Sequence, residues 1–156
     1  MTEDPELLFS KLTPIESMEG DDPDDTRLLQ EMATEAKEFL LGFPWVTQIV
    51  DIYASEVAVG GIVAVFLFRI IPASSEIDEW LWVVVGDLPP AYLVADSAPD
   101  GESALRNYVD EMSAWANAVS EGRETDALIP VNVAPTVDNA VRLLDRLDYI
   151  STEILD

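Results

Sequence analysis

The chain has 156 residues, neither cysteine nor histidine, and 31 acidic against eight basic side chains, a formal charge of -23. That length suits a single domain that buries about 68–70% of the surface its unfolded form exposes. The missing residue types exclude disulfides, thiolate nucleophiles, Cys/His zinc centres and histidine-based proton transfer. The charge repels nucleic acid and anionic membrane surfaces, so neither is an expected partner. A basic protein partner is attracted and met faster. The same charge also serves solubility alone, as acid-rich, lysine-poor surfaces do in salt-tolerant or GC-rich organisms.

The start, MTEDPELLFSKL, is acidic where a secretory leader is basic. The apolar stretch 57–68 contains a Gly-Gly pair and meets Arg69, short of the about 20 residues that span a bilayer. A soluble cytoplasmic protein is expected, and the cysteine-free composition fits a reducing compartment. Residues 1–25 hold nine of the acidic residues and one lysine. They read as an acidic, flexible N-terminal arm ahead of a single α+β domain over 26–156. The GDDPDD run repels itself and contains a proline, which points to loop or disorder. Leu7, Leu8, Phe9, Leu12, Ile15 and Met18 form an apolar patch in the arm. It either folds back onto the domain or docks a partner.

Within the domain, helical spacing predicts a helix over 26–41, with Leu28, Leu29, Met32, Ala33, Ala36 and Leu40 inward. Asp25 or Thr26 is its expected cap, and Gly42 with Pro44 its stop. Glu31 and Glu35 lie four apart on the wet face, a spacing that is normally just solvated, so no metal is expected. Residues 46–53 predict a strand, with a short helix as the alternative, and Gly60-Gly61 supplies a turn. In 62–71 both alternate rows are apolar, which marks a central strand covered on both faces. Residues 80–86 return beside it as an antiparallel neighbour. Arg69 interrupts one row. Closure about Ser74-Ser75 is expected to set it opposite Trp82, where it stacks on the indole or reaches out past the strand end.

Pro89-Pro90 reduces 91–94 to a short edge strand at most. A second helix is predicted over 101–120, capped by Asp100, with Leu105, Tyr108, Val109, Met112, Trp115, Ala116 and Val119 as its stripe. LIPVNV, which carries Pro130, reads as a packed loop or edge segment. A third helix is predicted over 137–154, capped by Thr136, with Ala140, Val141, Leu144, Leu147 and Ile150 inward. The order implies a small, mainly antiparallel sheet packed by three helices on one or both faces.

No phosphate loop, dinucleotide fingerprint, nucleophile elbow, metalloprotease or EF-hand motif is present. No catalytic residue, metal ligand or cofactor follows from the sequence. The surface that stands out is VGDLPPAYLV. There Asp87, Pro89, Pro90 and Tyr92 make a stiff proline-aromatic surface that loses little entropy when a partner docks. The structural alternative has Asp87 capping the turn, the prolines ending a strand and Tyr92 packing inward. Arg69, Tyr108 and Trp115 complete the candidates, although an aromatic stripe at helical spacing is usually core.

VVVGDLPPAYLV, the helix carrying Tyr108, Met112 and Trp115, and the PVNV segment together resemble an uncharacterised family of small bacterial proteins. The resemblance covers residues 45–155 and implies one compact domain but no activity. The expected function is a non-enzymatic protein–protein interaction module of the immunity, antitoxin or adaptor type. A second reading places a small ligand or an enzymatic site between the sheet and helix 101–120, with Tyr92, Tyr108, Asp87 and Arg69 as polar groups. A third is a self-associating structural protein, a homodimer built on the Pro-Pro edge or an aromatic patch.

Overall fold

A strand that is apolar on both rows needs a cover on each side, and the fold supplies two. The computed structural model describes residues 12–131 and 133–155. Its sheet is antiparallel and runs in sequence order: β1 (Thr13–Pro14), β2 (Val46–Val59), β3 (Val63–Pro72), β4 (Trp80–Gly86) and β5 (Leu88–Val94). Helix α1 (Pro23–Leu41) covers one face. Helices α2 (Gly101–Ser120) and α3 (Val137–Tyr149) cover the other, and α3 runs on into a π-helical turn, Ile150–Ile154. The result is a three-layer α+β sandwich.

The two rows of β3 go to different cores. Phe66, Phe68 and Ile70 pack with Leu81, Val83 and Val85 of β4 under Leu29, Met32 and Leu40 of α1. Val63, Val65 and Leu67 pack with Trp82 and Val84 under Leu105, Tyr108 and Met112 of α2. Phe66, Leu67 and Val84 have no exposed surface. Each side chain of this size contributes about 1.5–3 kcal/mol on burial, so these central rows dominate stability. The Trp82 indole N–H is satisfied as well, donating to the Ala98 carbonyl at 3.1 Å.

Several expectations need correction. Residues 12–25 belong to the fold: Thr13–Pro14 pairs with β2, Met18 is buried, and Ile15 packs beside it against the α1-side core. Leu7, Leu8 and Phe9 lie outside the described residues. The GDDPDD run is not a loop throughout, because Asp22 caps α1 by accepting the Asp25 N–H at 2.8 Å and Pro23 opens the helix. Proline is tolerated at a first helical position, and Asp24 and Asp25 there complement the helix dipole.

Strand β2 continues to Val59, past the predicted 46–53, with a register shift between Ala54 and Ala58 that bends it. Strand β5 begins at Leu88 and includes both prolines, which fall where its register with β4 shifts, between the Val84–Ala91 and Gly86–Leu88 pairs. On α3 the buried stripe is Ala140, Leu143 and Leu147, while Val141 is exposed. Residues 127–131 form a loop, as Pro130 suggested.

Candidate functional site

The seven candidate residues fall into three places. Arg69 sits at the uncovered end of the α2-facing row. Its Nε donates to Glu79, its Nη1 lies 3.9 Å from Asp51, and its guanidinium rests 5.7 Å from the centre of the Trp80 ring. Trp80 in turn stacks on Tyr53 at 6.3 Å. The hydrogen bond that Arg69 donates to Glu79 holds its pKa above the ordinary value, and desolvation followed by the Asp51 charge raises that of Tyr53. Arg69 lies opposite Trp80, not Trp82, which faces Leu67. A hairpin centred on Ser74-Ser75 aligns residues equidistant from that point, and these are 69 and 80. Exposed pairs of this kind contribute little to stability.

Asp87, Pro89, Tyr108 and Trp115 act as structural ties. Asp87 meets Arg146 of α3 at 3.1 Å, which pins the β4–β5 turn to the helix. The turn itself depends on Gly86, whose φ of 150° and closeness to the Ile62 carbonyl leave no space for a Cβ. Tyr108 has no exposed surface and its hydroxyl donates to the Pro89 carbonyl. Burial pushes that phenol well above its usual range, so it stays protonated and remains a donor. Trp115 is 4% exposed and belongs to the α2-side core. Around Tyr108 and Trp115 the space between the sheet and α2 is therefore filled with side chains.

Pro90 and Tyr92 remain, and they line a groove of about 860 Å³. The groove lies beside β5, the last strand of the sheet. Its floor is Pro90 to Val94. Phe39 of α1 and Phe43 just past its end line it from the α1 side, and Asn107, Asp110 and Glu111 of α2 with Leu128 to Val131 complete the lining. Among the described residues, the only charged groups lining it are Asp110 and Glu111.

Tyr92 also belongs to a cluster of half-buried rings. Phe43 lies 5.2 Å from Phe39, 5.1 Å from Trp45 and 5.3 Å from Tyr92, and Trp45 lies 5.2 Å from Tyr92. Partly exposed ring faces of this kind attract cations. Sequence reasoning missed Phe39, Phe43, Trp45, Asp110 and Glu111. The signal for the first three was the run FLLGFPW, with aromatics on both sides of a helix stop. Nothing in the local pattern announced the two acids, which sit on the outer side of an ordinary amphipathic helix.

The charge is unevenly compensated. Arg27, Arg69, Arg106, Arg123 and Arg146, five of the six arginines, lie within ion-pair reach of a carboxylate of the same chain. No group of three or more carboxylates among the described residues is placed to hold a metal ion, and no helix among them is long and apolar enough to cross a membrane. No protein-family profile, curated protein or solved structure matches the chain.

Proposed function

We propose that the chain is a non-enzymatic protein-interaction module that receives a basic partner in the groove beside β5. One observation carries this reading: an apolar groove at the free edge of a sheet, whose only charged lining groups among the described residues are acidic, in a chain of charge -23. Apolar floor gives affinity, and the negative field speeds encounter and rejects acidic competitors. An immunity protein, antitoxin or adaptor working in the reducing cytoplasm would have these properties. The test is co-purification from the native host at low salt, with the wild type beside the double variant Asp110→Lys, Glu111→Lys. Both positions are exposed, so the variant is expected to fold. The wild type should retain a stoichiometric basic protein and the variant should lose it. A partner held equally by both would refute the assignment to this groove.

The volume also suits a small apolar ligand, since such pockets occupy about 300–1,000 Å³. Native mass spectrometry of the purified protein separates the readings: a bound small molecule in place of a protein partner favours the second.

A further inference from the structure

We infer that the partner is held as an extended strand added to β5, with basic side chains on the α2 side of the groove and apolar ones on the α1 side. This rests on reading the groove as a protein-binding site. Among the described residues β5 pairs with β4 alone. In an antiparallel edge strand every second residue turns its N–H and C=O away from the sheet. Among the described residues no other backbone hydrogen bond reaches Pro90 to Val94, and only the Ser97 hydroxyl contacts the Val94 carbonyl. Residues 90 to 94 line the groove, so groups turned away from β4 face it, which is the condition for strand addition.

The groove also accommodates a strand in size. The four residues from Ala91 to Val94 give an edge about 14 Å long at about 3.4 Å per residue. An added strand about 4.8 Å wide and about 10 Å deep fills about 670 Å³ over that length. A helix about 10–12 Å across fills about 1,100–1,600 Å³. The groove holds about 860 Å³, room for the whole of an added strand and for one face of a helix, so the free edge of β5 decides for the strand.

The pleat then sets side-chain chemistry. Tyr92 belongs to the α1 side of the sheet, while Ala91 and Leu93 belong to the α2 side. An added strand follows the same alternation. One set of its side chains meets Phe39, Phe43 and Tyr92, and the other meets Asp110 and Glu111 beside Leu128, Ile129 and Val131. That mixture suits a basic head on an apolar stem. The occupant therefore alternates apolar and basic residues with a period of two.

The experiment uses the capped heptapeptide Leu-Arg-Leu-Arg-Leu-Arg-Leu as a probe, titrated into the ¹⁵N-labelled protein. Four control peptides accompany it: Glu in place of Arg, the same residues in two blocks, and N-methylation of either the leucines or the arginines. In a strand, side-chain direction and N–H direction are locked together, so only one of the two methylated peptides loses its bonds to β5. Expected are amide shifts centred on Ala91 to Val94, at least tenfold weaker binding for one methylated peptide, and little change for the other. The glutamate and block peptides should bind at least tenfold more weakly.

Equal binding by both methylated peptides, equal binding by the block peptide, or shifts away from β5 would overturn strand addition. So would no binding at all. In each of those cases the groove reading stands or falls separately, on whether the lysine double variant releases the co-purified partner.

Discussion

Tyr108→Phe isolates one hydrogen bond and one titration. The ring stays, so core packing is kept, and only the hydroxyl that donates to Pro89 is removed. A half-buried carbonyl left without its donor costs about 1.5 kcal/mol at pH 7. In a domain of this size that lowers Tm by about 3–6 °C. The pH dependence then has a defined sign. Burial raises the folded-state phenol pKa above the ordinary value of 10.0, so above that pH the unfolded chain has lost a proton that the native state keeps. Stability from Tyr108 is fully present below about pH 10 and falls by about 1.4 kcal/mol per pH unit above it. The variant lacks this slope.

The stability difference should therefore stay constant from pH 7 to 9, close near about pH 11, and reverse beyond it. Tyr53, whose pKa is also raised, is common to both proteins and cancels. Urea titrations followed by tryptophan fluorescence across that range measure the difference directly. A gap that persists unchanged at pH 11, or no destabilisation at pH 7, would refute the assigned burial and bond.

Other substitutions probe the remaining supports. Gly86→Ala forces a Cβ against the Ile62 carbonyl at φ 150° and should cost about 3 kcal/mol or more by chemical denaturation. Gly122→Ala, at φ 72° in open space, should cost only about 1–2 kcal/mol. Glu56 accepts the N–H groups of Gly101 at 3.2 Å and Glu102 at 3.0 Å. Its change to alanine should destabilise by about 0.5–2 kcal/mol, with glutamine losing less, because the carboxylate serves a helix N-terminus. Phe66→Ala and Leu67→Ala, on opposite faces of β3, should each cost about 2–5 kcal/mol, whereas Val50→Ala on the surface should stay within about 0.5 kcal/mol.

The centre of the fold was legible because burial on both faces writes itself into two consecutive apolar rows, and 62–71 has both. The bounds of α2 were equally plain, since Asp100 caps its start and an unbroken stripe runs from Leu105. Other features depended on tertiary context. Asp22 and Pro23 look like loop formers until Met18 and Ile15 anchor the preceding segment in the α1-side core. The inward face of α3 turned on which side met α2, and Leu143 took the place that periodicity gave equally well to Val141. The groove was half readable: VGDLPPAYLV marked Pro90 and Tyr92, but Asp110 and Glu111 gain meaning only when the end of the sheet is brought beside α2.

The account stands on the outer edge of β5 being an open ladder that a basic segment closes. Amide hydrogen exchange of Ala91 to Val94, with and without the Leu/Arg heptapeptide, measures this directly. In the free protein the amides turned from β4 should exchange rapidly while those paired with β4 are protected. With peptide bound, the outward amides should slow at least tenfold. Outward amides already protected in the free protein, or unchanged at saturating peptide, would contradict it.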